Sequence, residues 1–244
     1  MILKIISMKK LVYVLLFIIY IVIILYLFYP KGTINDEGSI DLFFCKETNC
    51  SFLLTQLISK SNDVKCAFYD LDEPNVLKSL NQSKVEVLLF EENYDEDLNY
   101  SFQKVGSDGL MHNKFCIFDE KIVLTGSYNP TIRGTYLNDN YVIVIFSEKI
   151  SGAYLNEFNR IKKGKDGTGN YKFNLSETKI NLCFSPQGNC ENLIIENIKK
   201  TKKEIKFLSF TFTSSDIANA ILNQNISYEG ILEKSKISQY SVNK

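Results

Sequence analysis

Two stretches of the chain, offset by 140 residues, carry the same order of apolar runs. The first opens Ile40-Asp41-Leu42-Phe43-Phe44 and passes Asn49-Cys50. It continues with Phe52, Leu53, Leu54, Leu57 and Ile58 at helical spacing. The second opens Ile180-Asn181-Leu182-Cys183-Phe184, passes Asn189-Cys190 and continues with Leu193, Ile194, Ile195 and Ile198. Each then offers a strand-like run (64–69 and 205–212), a helix start (Glu73-Pro74 and Ser214-Ser215-Asp216) and another strand (85–90 and 228–232). A β-α-β-α-β unit with long apolar strands predicts an α/β sandwich around a mixed, mostly buried sheet. With 23% charged and 13% aromatic residues, the composition excludes a disordered chain.

The first unit runs on. Phe115–Phe118 and Ile122–Leu124 read as strands around an Asp119-Glu120-Lys121 turn; Tyr141–Phe146 reads as a strand and Glu148–Ile161 as a helix. We therefore expect a first unit over 38–161, a Lys- and Gly-containing linker over 162–178 and a second unit over 179–244. The position in the second unit equivalent to His112 would fall beyond residue 244, so the second unit reads as incomplete.

Ahead of both units lies an uncharged run of 19 residues, 11–29, rich in Leu, Ile, Val, Phe and Tyr. As a helix it spans about 28 Å, close to a bilayer core. Lys4, Lys9 and Lys10 precede it, so residues 1–10 are expected on the cytoplasmic side and the rest of this single-pass chain across the membrane. A cleaved signal peptide is the competing reading; the run ends Leu27-Phe28-Tyr29-Pro30 and has no small-residue cleavage pattern.

The zero net charge is a sum of unlike parts. Residues 32–160 hold 11 basic and 20 acidic side chains, and residues 161–244 hold 13 and 8. Of six cysteines, Cys45 and Cys50 form one close pair and Cys183 and Cys190 another; in an oxidising compartment each pair would staple a local loop. Cys66 and Cys116 stand apart. Ordinary buried thiols are the alternative. There is no C-x-x-C and only one histidine, which excludes a multi-histidine zinc site.

That histidine, His112, lies in Met111-His112-Asn113-Lys114-Phe115-Cys116-Ile117-Phe118-Asp119, followed by Gly126-Ser127-Tyr128-Asn129 and Asn138-Asp139-Asn140. His112 and Lys114, two apart at a strand start, would share a face, and Ser127 and Asn129 repeat that spacing after the next strand. A hairpin joining them would gather imidazole, ammonium, hydroxyl and amide on one surface. Such a set suits a phosphoryl group: a nucleophile or acid, a positive charge, and neutral donors for non-bridging oxygens.

The full pattern, H-x-K-x4-D-x6-G-S-x-N, resembles that of the phospholipase D superfamily, the HKD phosphodiesterases. The likeness covers most of residues 38–233 and implies a phospholipase D-like α-β-α sandwich. It further implies a two-step phosphodiester cleavage with no metal or cofactor. One HKD histidine attacks phosphorus and forms a phosphohistidine; a second protonates the leaving oxygen and then activates water. Transferred to this chain, His112 is a reacting histidine, and Lys114, Ser127 and Asn129 hold phosphate oxygens. Asp119 and Gly126 are structural members of the motif. Asp139 stands where the family more often has Glu and would orient an imidazole.

The chain departs from the family in carrying one HKD motif. Members with a single motif act as dimers, which implies a homodimer through the HKD face; a truncated, inactive binding module and a reading frame cut short before the second motif are the other readings. An N-terminal anchor slightly favours membrane phospholipid as the phosphodiester; a nuclease of the same family acting on DNA or RNA is the alternative. The acidic run Glu91, Glu92, Asp95, Glu96, Asp97 repels a polyanion, and Lys199, Lys200, Lys202, Lys203 and Lys206 form the one candidate track for a nucleic acid.

Overall fold

A computed structural model describes residues 13–21, 32–82, 84–95, 100–106, 110–165 and 167–236. Residues 13–21 are helical (α1), and all nine side chains are exposed. The rest of the 11–29 run lies outside the described residues. Among those described, no helix is long and apolar enough to cross a membrane.

The first unit follows in chain order as β1 (Ile34–Asp36), β2 (Ser39–Phe44), α2 (Cys50–Lys60), β3 (Val64–Phe68), α3 (Pro74–Leu80), β4 (Val85–Phe90), β5 (Gln103–Val105), β6 (Lys114–Phe118), β7 (Ile122–Gly126), α4 (Ile132–Tyr136), β8 (Tyr141–Phe146) and α5 (Glu148–Ile161). Polar side chains set the helix starts. Asn49 accepts from Phe52 N at 2.9 Å, Glu73 caps α3 with Pro74 in its first turn, and Ser147 caps α5 through Ile150 N at 3.0 Å.

Seven strands form one mixed sheet in the order β2-β8-β7-β6-β3-β4-β5. β3, β4 and β5 run parallel; β3, β6, β7, β8 and β2 alternate in direction. Alternation along each strand divides the core. Val64, Cys66, Phe68, Cys116, Phe118, Val142 and Val144 meet Leu54 and Ile58 of α2 and Val76, Leu77 and Leu80 of α3. Ala67, Phe115, Ile117 and Ile145 face the other way, against Ile150, Ala153, Tyr154 and Phe158 of α5.

The segment expected to be a linker, 162–178, contains a strand. β9 (Asn170–Leu175) pairs parallel with β1 and antiparallel with β10 (Thr178–Cys183). Tyr171, Phe173 and Leu175 alternate with polar neighbours and join the α5 side of the core, so the hairpin is part of the first unit's packing.

The second unit continues with α6 (Cys190–Lys200), β11 (Glu204–Ser209), α7 (Ser215–Leu222) and β12 (Ser227–Leu232). Its helices close over Ile205 and Phe207, around buried Ile198, Ala220 and Ile221. The opposite face of the parallel β11–β12 pair exposes Leu208 and Ile231, which are register partners. In the first unit the corresponding face is buried under α5, and no such helix covers it here among the described residues.

Three disulfides join Cys45 to Cys50, Cys183 to Cys190 and Cys66 to Cys116. The last corrects the reading of Cys66 and Cys116 as isolated cysteines. They are directly opposed in the β3–β6 register, and both are fully buried. Local spacing does not show a pair separated by 50 residues. Closing that loop restricts the unfolded chain by about 4 kcal/mol on the chain-entropy estimate. Replacing both cysteines with alanine is expected to lower stability by about 2–4 kcal/mol in urea unfolding of the full chain in detergent. An unchanged midpoint would show that the cross-link contributes nothing.

Candidate active site

His112, Lys114, Ser127 and Asn129 lie at one end of the large sheet. At this end β3 and β7 finish and β6 and β8 begin. Lys114, the first residue of β6, is paired with Phe68, the last of β3. One step beyond, Tyr69 N donates to Asn113 O at 3.0 Å, so His112 stands just past the end of the ladder.

Tyr69 organises the two charged members. Its ring meets the His112 ring edge-on, centroids 4.5 Å apart, and stacks on Phe90 at 5.5 Å. Lys114 Nζ lies 5.2 Å from the Tyr69 centroid and donates to His112 O at 3.0 Å. Asn93 Nδ2 donates to Tyr69 O at 2.7 Å and fixes the platform from β4's side. Buried Met111 anchors the chain immediately before His112.

Packing around the site lowers the proton affinity of both groups. Partial loss of hydration holds the exposed-edge imidazole of His112 below its ordinary value, and the neighbouring Lys114 charge adds to this. Burial also brings Lys114 down to about 8, opposed by the carboxylate of Asp70. Asp70 itself is raised by burial and then by the charge of Asp72. The arrangement holds a neutral imidazole beside an ammonium at neutral pH.

The second group lies on the β7–α4 connection. Gly126 has φ +156°, and a Cβ there would meet Tyr141 O at 2.3 Å, so β7 and β8 approach closely only with glycine. Ser127 Oγ donates to Asn140 Oδ1 at 3.0 Å and accepts from Tyr141 N at 3.1 Å. Asn140 Nδ2 in turn donates to Gly134 O at 2.9 Å. The side-chain oxygen of Asn129 is buried without a hydrogen-bond partner. The loop is tied to the β3–α3 connection: Pro130 O accepts from Asp72 N at 3.2 Å and Glu73 N at 3.0 Å, and Asp72 Oδ1 accepts from Ile132 N at 2.6 Å.

The fold thus brings His112 and Lys114 into contact and carries Ser127 and Asn129 to the same end of the sheet. It does not bring Asp119 or Asp139 to His112. Asp119 sits at the far end of β6, where Oδ1 accepts from Asn62 N at 2.8 Å and Asp63 N at 2.9 Å. Asp119 and Glu120 both have positive φ in the tight turn to β7. Asp139 is exposed at the site end and paired with Lys46. Tyr69 and Asp70 are site residues that the motif does not contain. Among the described residues, no group of three or more His, Cys, Asp or Glu is placed to hold a metal ion.

Because His112 is the only histidine, the chain gives a single set of imidazole resonances. In a pH titration by NMR it is expected to titrate below 6.5, and Lys114→Met is expected to move the midpoint upward. A midpoint at or above 6.5 in the unmodified chain would contradict the electrostatics described here.

Residues 53–162 match the family described as cardiolipin synthase, PLD-like domain. Phospholipase D of Rickettsia prowazekii is 29% identical over 141 residues, covering 51% of this chain and 69% of that protein. Mitochondrial cardiolipin hydrolase of Mus musculus is 32% identical over 136 residues, covering 50% of this chain and 62% of that protein. The cardiolipin hydrolase is thus spanned over less than two thirds of its length. Among solved structures, phosphatidylserine synthase of Haemophilus influenzae shares the fold with a TM-score of 0.56 at 14% identity, over 79% of this chain and 61% of that one. Residues 53–162, which hold the complete motif around β6 and β7, are thus similar to the PLD-like domain family, and the relatives support the phospholipase D superfamily for this part of the chain.

Proposed function

We propose that this chain is a membrane-anchored phosphodiesterase that hydrolyses a phospholipid phosphodiester through a phosphohistidine on His112. The observation that carries the reading is the pairing of the His112 imidazole and the Lys114 ammonium on the Tyr69 ring, with Lys114 Nζ tied to the His112 backbone carbonyl at 3.0 Å, at the sheet end that also holds Ser127 and Asn129. The neutral imidazole forms a nitrogen–phosphorus bond as the phosphorus–oxygen bond to the leaving alcohol breaks. Lys114, Ser127 and Asn129 take the non-bridging oxygens. A protonated imidazole gives its proton to the leaving oxygen, then takes one from the water that cleaves the phosphohistidine.

The second imidazole comes from His112 of another copy, so the active form is a homodimer with the two HKD faces together. Asp139, exposed beside Lys46, is then the acid that orients the partner's imidazole. The run 11–29 anchors the chain, residues 1–10 remain cytoplasmic, and the catalytic unit lies across the membrane beside phospholipid headgroups. Support for an oxidising compartment comes from the cysteines, none of which is free. The relatives named phospholipase D and cardiolipin hydrolase support a lipid substrate.

Full-length protein is expected to release the headgroup alcohol from phospholipid vesicles faster than it cuts single-stranded DNA assayed beside them. His112→Ala is expected to abolish this, by about a thousandfold or more, and wild type quenched in alkaline detergent, where a phosphohistidine survives, to retain labelled phosphate. Equal rates for wild type and His112→Ala would sink the assignment, and preference for DNA would favour the nuclease reading. In kcat/KM, activity falls first as the acid imidazole loses its proton, and again as pH rises through about 8, where Lys114 loses its own. Asp70→Asn removes the charge that supports that proton and is expected to move this alkaline limb to lower pH.

A further inference from the structure

Around the site end of the sheet stand six large apolar side chains with 41% to 69% of their surface exposed: Phe44, Leu110, Ile132, Tyr136, Leu137 and Tyr141. Each is next to a site element. Leu110 is two residues before His112; Ile132, Tyr136 and Leu137 lie on or just after α4, between Asn129 and Asp139. Phe44 and Tyr141 are register partners at the β2–β8 edge, beside the Ser127–Tyr141 contacts. The centre is charged or polar and the surround apolar. Exposed Lys46 and Arg133 lie among these side chains.

The direction from which the chain enters the fold is independent of this pattern. Asp36, the last residue of β1, lies at the far end of the sheet, with Lys149 N donating to it at 3.3 Å and Ser147 Oγ also bonded to it. Ile34, two residues upstream, pairs with Phe173 of β9. β9 begins at Asn170, near Gly169, whose carbonyl accepts from Phe184 N at 2.8 Å. Phe184 packs on Tyr154 at 5.1 Å, and Tyr154 on Phe115, beside Lys114, at 5.0 Å. The start of β9 is therefore towards the site end, and β1 runs from the site end to the far end. Only five residue steps separate Tyr29 from Ile34, at most about 17 Å of extended chain.

We propose that these six residues form an apolar rim that rests on the bilayer entered by the chain's own N-terminal segment, turning His112 toward the phospholipid headgroups. The inference rests on the reading of 11–29 as an anchor and of the site as a phosphodiesterase. A short tether arriving from the site end holds that end against the membrane. Tyr136 and Tyr141 suit the interface, with the ring among acyl chains and the hydroxyl in water. Lys46 and Arg133 suit headgroup phosphates.

The chain has no tryptophan, so a single introduced one reports its own surroundings. Leu137→Trp and Tyr136→Trp, each in the full chain, are compared in phosphatidylcholine vesicles with and without brominated acyl chains. Glu177→Trp, in the β9–β10 turn at the far end, is the control. The rim tryptophans are expected to lose about half their emission to brominated lipid, and the control to lose none. Unquenched rim emission overturns the inference; blue-shifted, unquenched emission also overturns it and assigns the rim to contact with a second copy. Alkaline carbonate extraction separates the two levels. Release of the wild-type chain removes the anchor reading and this inference with it, whereas retention with unquenched tryptophans removes this inference alone.

Discussion

The site depends on the antiparallel pairing of β3 with β6. These strands lie 50 residues apart by their cysteines, and the pairing sets Cys66 against Cys116 and Phe68 against Lys114. A slip of one residue would send Cys116 and Phe118 from the α2–α3 core to the α5 side and leave Tyr69 out of register with Asn113. Two unlike devices hold the register. The disulfide fixes the middle of the pair, and the Asp119 carboxylate clamps its far end to the N–H groups of Asn62 and Asp63. The near end is therefore presented without a covalent tie, and there Tyr69 receives His112 and Lys114.

This division explains why the motif contains a residue so far from the chemistry. Asp119 is five residues along from Lys114, about 16 Å for an extended strand. Nothing it touches is near His112, yet both register and turn rely on it. The turn places Asp119 and Glu120 at positive φ, a conformation that Asp tolerates better than branched residues. Gly126 answers the same demand on the neighbouring hairpin, where its missing Cβ lets Tyr141 O close on β7 and Ser127 take both Tyr141 and Asn140.

Residues whose roles come from local spacing were legible in the sequence. His112 and Lys114 are two apart, Ser127 and Asn129 likewise, and alternating or helical apolar spacing marked β8 and α5 at their observed bounds. What distance in the chain conceals was not legible. Tyr69 is 43 positions before His112 and carries no motif of its own, so its ring becomes a site element only through strand pairing. Asp70 gains its effect on Lys114 in the same way. β9 was missed because Lys and Gly nearby resemble a linker, whereas Tyr171, Phe173 and Leu175 bury one face against the first unit. The Asp139 side chain follows the motif in sequence and departs from it in space, since within one chain its partner is Lys46.

A homodimer and a membrane-facing site fit together in one geometry. Two anchors that enter the same bilayer from the same side require a two-fold axis along the membrane normal. Each β1 enters from the site end, so both site ends point to the bilayer in that arrangement. Two HKD faces brought together across such an axis then open their shared cleft towards the lipid. In the proposed dimer the contact is restricted to the part of each rim nearest the axis, leaving the outer part for lipid. On this geometry the apolar side chains divide between two tasks, and α4, which follows the Asn129 loop directly, is the element on which that division falls.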